Sequence, residues 1–240
     1  MRIDIWSDVV CPWCYIGKRR FERALADFPH AAEVDVIWHS FELDPQAPRA
    51  TDSPPAERLA AKYGLTVEQA QQANERLTST AADEGLEFHL DEARSGNSFD
   101  AHRLIHLAAD LGPAGAGLQG HLKERLLRAY FTERIAIGEP TELHRLAVEV
   151  GLDADAVQRV LDGDEYGEDV RADEAEAHSY GISGVPFFVV DDKYGISGAQ
   201  PTELFTQALN QAWSESHSAL QTLSATSGSG PGCDGDACDV

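Results

Sequence analysis

Four cysteines stand in two close pairs, Cys11 with Cys14 and Cys233 with Cys238. Two thiols this close can form a disulfide, exchange with one, or supply half of a metal site. In Cys11-Pro12-Trp13-Cys14 the pair follows a short apolar strand pattern and opens a helical one. Redox chemistry is the leading expectation there. Cys11 would stand just before the first helical turn, beside free backbone N–H groups and the positive end of the helix dipole. Both favour a thiolate and make Cys11 the accessible attacker. Cys14, one turn in, would be more buried and close enough to resolve a mixed disulfide. The alternative is half of a zinc site, which normally needs four ligands, often as a second matching pair.

Cys233 and Cys238 lie in a tail rich in Gly, Ser, Pro and Asp. Gly232, Gly235 and Ala237 permit the tight turn that joins them. If the preceding helix ends on the active-site side, a linker of this composition reaches the first pair. Three readings stand: a second redox pair exchanging with Cys11–Cys14 or with substrate, a soft-metal grip shared with Asp234, Asp236 and Asp239, or an idle end. His102 and His106, one helical turn apart, could bind zinc, but without a third ligand in a recognisable motif they read as core or surface histidines, as does His39. Glu42 reads as a strand-end carboxylate, with a proton-shuttle role near the thiols as the sharper alternative.

Elements must position these groups. Arg2 to Trp6 alternates polar and apolar, predicting a half-buried strand. Pro12 suits a first helical turn, and Ile16, Phe21, Leu25 and Phe28 recur at near-helical spacing before Pro29 stops the run. Gly17 weakens this helix locally. Val34 to Phe41 reads as a second strand, completing a right-handed parallel βαβ unit. Asp44 to Pro55 carries four prolines and reads as a linker. Helical patterns then dominate: Thr66 with Gln69 forms a capping box for a helix to Asp83, Asn97 or Ser98 caps one through Ala109, and Leu118 to Phe131 is amphipathic. Thr141 to Val150, Ala154 to Leu161 and Glu165 to His178 follow. Pro186 to Val190 and Tyr194 to Ser197 predict a hairpin across Asp191-Asp192, and a last helix runs from Thr202 through Trp213.

The net charge of −22 argues against nucleic acid and against an anionic membrane surface as partners. Met1 leads straight into the first strand pattern, and no run approaches the length of a membrane span. The expected compartment is the cytoplasm, where close cysteine pairs are more often catalytic or metal-binding than structural.

Ser7 to Gly17, Ser40 to Pro45, Asn97 to Leu104 and Gly181 to Phe188 together resemble the DsbA family of thioredoxin-fold oxidoreductases, and more narrowly its FrnE-like cytoplasmic branch. The resemblance samples most of residues 1–213. It implies an α/β protein, a thioredoxin fold split by a large all-helical insertion. The expected parts are residues 1–45 and 179–223 as the two thioredoxin pieces, 46–178 as the insertion and 224–240 as the tail. It implies a nucleophile at Cys11, a resolving thiol at Cys14, and a cis bond at Val185-Pro186 opposite them, although on sequence alone trans is the default. Val185, Pro186 and Trp13 would then contact an extended substrate segment. Periodic departures matter too: the residues between the cysteines are Pro-Trp, not the Pro-His of periplasmic DsbA enzymes, so strong oxidising power does not carry over.

The expected activity is protein thiol–disulfide exchange or isomerisation. No organic cofactor takes part, and glutathione or a thioredoxin-type protein could serve as reductant. Two rivals stand beside it. One is a glutathione-dependent transferase or isomerase of the kappa and 2-hydroxychromene-2-carboxylate isomerase type, groups that usually carry Ser where Cys11 stands. The other is a metal-binding stress protein using both cysteine pairs. The oligomeric state is not legible.

Overall fold

The computed structural model describes residues 1–51, 53–111 and 113–217, with side chains left aside at 113–116. The thioredoxin half opens with β1 (Arg2–Ser7), α1 (Pro12–Ala26) and β2 (Asp35–Ser40), and closes with β3 (Phe187–Val190), β4 (Tyr194–Ser197) and α9 (Thr202–Ser216). The sheet order is β2-β1-β3-β4, with β1 parallel to β2 and antiparallel to β3. Among the described residues, seven α-helices lie between β2 and β3: α2 (Pro55–Tyr63), α3 (Val67–Asp83), α4 (Phe99–Ala109), α5 (Pro113–Phe131), α6 (Pro140–Glu149), α7 (Ala154–Asp162) and α8 (Gly167–Ser179). This is a thioredoxin fold of the α/β class, interrupted by helices. Among the described residues, no helix is long and apolar enough to cross a membrane.

Strand β1 is not half-buried. From Ile3 to Ser7 every residue is buried, Asp4 and Trp6 included. The strand is central, and both of its faces are covered. Ile3 and Ile5 join the cluster of Phe21, Phe188 and Phe205 under α1 and α9. On the other face α8 lies over Trp6, whose indole N–H donates to the Asp173 carbonyl at 3.0 Å and whose ring stacks on His39 at 4.5 Å. Asp4 tolerates burial because Arg2 and His39 both hydrogen-bond it. The polar position in the alternation is thus an ion-paired one rather than a solvated one.

Most of the helices share the core of the sheet, and a small separate cluster of Ala56, Ala60 and Ala70 joins α2 to α3. A continuous cluster runs from Ile3 and Phe188 through Tyr15 to Leu126, Leu143 and Val157. The Thr66–Gln69 capping box forms in full. Helix α5 begins at Pro113, earlier than the apolar pattern from Leu118, because Pro at the first helical position suits the start. The glycines at 115, 117 and 120 obscured that turn.

Strand β2 is an edge strand, and its outer backbone is not left open. Gln119 of α5 accepts from the Trp38 N–H at 3.1 Å and donates to the Trp38 carbonyl at 2.9 Å. An amide side chain takes the place of a neighbouring strand.

Candidate active site

Past Ser7 the chain turns, and the Cys11 N–H donates back to the Asp8 carbonyl at 3.3 Å. Cys11 is the N-cap of α1, in extended backbone geometry, and Pro12 takes the first helical position. The Cys14 N–H donates to the Cys11 carbonyl at 3.1 Å, which closes the first turn and brings the two side chains to one end of the helix. Both are free thiols.

The Val185–Pro186 bond is cis, as the resemblance implies. Its loop lies against the cysteines: the Cys11 Sγ donates to the Val185 carbonyl at 3.5 Å. The loop approaches that closely because position 17 is glycine. A Cβ there would stand 3.0 Å from Pro186 Cγ and 3.4 Å from Ala199. Gly17 therefore serves as the contact point between α1 and the cis loop, not only as a weak spot in a helix. The loop also covers Cys11, which is 4% exposed, so the freely accessible sulfur expected from the sequence is not what the fold presents. Trp13, between the cysteines, is 45% exposed and forms the open rim. The loop from Gly181 to Phe187, with Ser197 and Gly198, lines a cavity of about 310 Å³.

Beneath the thiols lies a layer of buried charge. Asp8 is fully buried. Its carboxylate accepts from the Leu43 N–H at 2.8 Å and the Val10 N–H at 3.3 Å, and lies 3.4 Å from His102 Nε2. Burial alone would raise its pKa, but His102, the Leu43 amide and the charge of Lys123 outweigh it and hold Asp8 below the usual carboxylate range. Lys123, on α5, is equally buried. Its ammonium donates to the Ser7 carbonyl at 3.0 Å and sits 5.7 Å from the centre of the Trp38 ring. Burial pulls it down to about 8, opposed by Cys14, Asp8 and Cys11. Cys14 moves the other way. Burial, then the neighbouring Cys11 sulfur, push it well above the ordinary thiol value, and only Lys123 and the Asp8 backbone work against that.

Helix α5 is clamped to α1 next door. Glu124 accepts from Tyr15 Oη at 2.7 Å, from Lys18 Nζ at 2.6 Å and from the Arg19 guanidinium. Burial would raise Glu124; the Arg19 hydrogen bond and the Lys18 charge bring it down to about 2.

The other sequence candidates fall outside this layer or at its edge. His106 Nε2 lies 3.0 Å from Asp173 and 3.1 Å from Ser40 Oγ. The i, i+4 pair therefore splits, with His102 facing Asp8 and His106 facing Asp173. His39, Asp173 and Glu176 stand close enough to suggest a metal site. His39, however, already uses both ring nitrogens, on Asp173 at 2.8 Å and Asp4 at 2.7 Å. Although burial lowers it, these two carboxylates raise His39 to about 9, so it is an imidazolium and has no lone pair for a metal. Glu42 is buried and paired with Arg171, with one oxygen lacking a partner among the described residues. Cys233 and Cys238 lie outside the described residues.

Sequence reasoning missed Lys123 and the role of Asp8. A signal for Lys123 was present. It falls in phase with Gln119, Leu122, Leu126 and Tyr130, all buried, on the inward face of an amphipathic helix.

Comparison with known proteins now places the chain. The description "DSBA-like thioredoxin domain" matches residues 2–210, and the chain belongs to that family. A solved structure of a probable DsbA oxidoreductase from Streptomyces coelicolor is 45% identical, with a TM-score of 0.83, over 96% of this chain and 97% of that one. The uncharacterized protein YwbO of Bacillus subtilis (strain 168) is 30% identical over 215 residues, 88% of this chain and 96% of its own. A 2-hydroxychromene-2-carboxylate isomerase shares the fold at 14% identity and a TM-score of 0.66, over 90% of this chain and 98% of that one.

Proposed function

We propose that this chain is an enzyme of thiol–disulfide exchange on protein substrates, acting through the Cys11-Pro12-Trp13-Cys14 centre. The observation that carries the reading is the Cys11 thiol at the N-cap of α1, directed at the carbonyl of the residue before a cis proline. Cys11 Sγ attacks a substrate disulfide. A bond forms to one substrate sulfur, and the other leaves as a thiolate. Cys14 Sγ then attacks Cys11 Sγ, releasing the second substrate sulfur and leaving a Cys11–Cys14 disulfide. An external thiol reductant restores the centre, or, run backwards, the oxidised centre hands its disulfide to a substrate dithiol.

Trp13 and the Val185–Pro186 loop support a polypeptide substrate. Among the described residues the Val185 N–H has no backbone acceptor, so it is free to pair with an extended chain that passes over the rim. The test is disulfide turnover of insulin by wild type, Cys11→Ser and Cys14→Ser. Cys11→Ser is expected to abolish turnover, and Cys14→Ser to accumulate a mixed disulfide with substrate. Glutathione-dependent turnover of a small molecule that survives Cys11→Ser would sink this reading in favour of the isomerase type.

A further inference from the structure

Arg20 is a half-buried cation on α1 that the exchange reaction, as written above, does not use. It stands on the same side of α1 as Gly17, one turn further from the cysteines. Its side chain is 19% exposed and forks between two elements: Nε donates to Glu84 Oε1 at 2.6 Å, and Nη1 donates to the Ala199 carbonyl at 2.7 Å. Glu84 caps the C-terminus of α3. There the Gly85 N–H donates to the Ala82 carbonyl and the Leu86 N–H to the Ala81 carbonyl, both at 2.9 Å. Gly85 takes the positive φ this turn needs, so the turn that carries Glu84 is held by its own backbone. The Glu84 side chain is 9% exposed, and Arg23 takes its other oxygen at 2.9 Å. Ala199 lies in the loop from β4 to α9. One residue earlier, the Gly198 N–H donates to the Pro186 carbonyl at 2.8 Å, and Ala199 itself stands against Gly17 beside Pro186 Cγ. The carbonyl that Arg20 holds is therefore one residue away from a direct bond to the cis proline.

We propose that Arg20 is a positioning residue of the exchange reaction: braced by Glu84 of α3, it holds the β4–α9 loop and thereby keeps the Val185–Pro186 loop seated over Cys11. The proposal rests on the exchange reading. A guanidinium fork suits a side chain that must hold two acceptors at a fixed separation, and the charge-assisted bond to Glu84 keeps its stem from swinging away. A loop held in this way presents the Val185 N–H in one place, and an incoming extended chain does not have to order it. The same restraint keeps Cys11 covered, at 4% exposure. Loss of Arg20 therefore acts in opposite directions on two measurements. An extended polypeptide binds more weakly, while a small reagent reaches Cys11 more easily.

The test compares wild type, Arg20→Met and Arg23→Met as full chains. Turnover of insulin with dithiothreitol as reductant gives KM and kcat. Alkylation of Cys11 by iodoacetamide, read by mass spectrometry after digestion, gives its accessibility. Arg20→Met is expected to raise KM roughly 10-fold with kcat within about 2-fold of wild type. It is also expected to speed Cys11 alkylation roughly 5-fold, because the covering loop opens more often. Arg23→Met removes an ion pair from the same Glu84 without touching the loop, and is expected to match wild type in both measurements. A wild-type KM or slower alkylation in Arg20→Met overturns the proposal. So does an equal change in Arg23→Met, which would mean a general loosening of α1 against α3. Should Arg20→Met fail to fold, Arg20→Lys decides: its single ammonium cannot take the places of Nε and Nη1 together, so KM should again rise, and a wild-type KM overturns the proposal. Absence of insulin turnover by the wild type would instead remove the exchange reading, while the alkylation rates would still report on the clamp.

Discussion

Glu124→Gln probes the clamp that holds α5, and with it Lys123, against the helix bearing the cysteines. The substitution keeps the shape and removes the charge that Lys18, 4% exposed in its side chain, and Arg19 both face. A carboxylate near 2 in the fold and 4.5 when free represents about 3 kcal/mol of stabilisation. The Glu124 side chain is 29% exposed, and solvent screening reduces the expected loss to about 2 kcal/mol. The sign follows from a depressed folded value: the stabilisation is complete above 4.5 and drains away as pH falls toward 2. Urea unfolding of wild type and Glu124→Gln should therefore differ by about 2 kcal/mol at pH 7, and the gap should shrink by about half at pH 3. A gap that stays constant from pH 7 to pH 3, or is absent at pH 7, refutes the assignment of Glu124 as an ionised hub.

Gly17→Ala places a methyl 3.0 Å from Pro186. Overpacking costs about 1–3 kcal/mol and improved helix propensity returns about 1 kcal/mol, so a net cost of about 0–2 kcal/mol should lower the melting temperature by no more than about 8 °C, while the rate at which Cys11 reacts with the aryl disulfide DTNB changes; an unchanged rate would mean the contact does not set Cys11 geometry. His39→Gln tests the bridge from α8 to the sheet. The folded value, raised to about 9, means its stabilisation is complete below 6.5 and is lost as pH rises through 9. The wild-type advantage over His39→Gln in unfolding free energy should shrink between pH 6.5 and 9.5, and a constant advantage would contradict a charged His39.

What was legible in the sequence is what is local. The capping box at Thr66 and Gln69 needs only four consecutive residues, and the β3–β4 hairpin turns on Asp191 and Asp192, both of which adopt positive φ. The cysteine motif sits between a strand and a helix that its own neighbours specify. Asp4 was misread because alternation reports the period of a strand and not what covers its second face; the cover is α8, more than 160 residues away. Burial of Cys11 has the same origin, since the covering loop is contributed by Val185. Pro186 was legible as cis only through the family resemblance, for an X-Pro dipeptide alone favours trans. The helical phase of α5 marks Lys123 as inward-facing, but that its ammonium meets the Ser7 carbonyl follows from the docking of α5, which no short-range pattern encodes.

The placement of α5 explains why most of the helices share the core of the sheet. Three of its residues reach the elements that flank the cysteines: Gln119 takes the open edge of β2, Lys123 the carbonyl that ends β1, and Glu124 the outer face of α1. Gln119 and Lys123 are one turn apart, so the register that pairs the amide with Trp38 also drives the ammonium beneath the thiols. Hydrophobic contact between α5 and the sheet would tolerate a slip along the helix, because one leucine replaces another. The bidentate amide and the buried ammonium do not tolerate it: a slip by one residue would bury Leu118 against a bare strand edge and leave Ser7 facing Leu122. The polar groups thus fix a register that apolar packing alone would leave degenerate, and the register they fix is the one that sets the charge felt by Cys14.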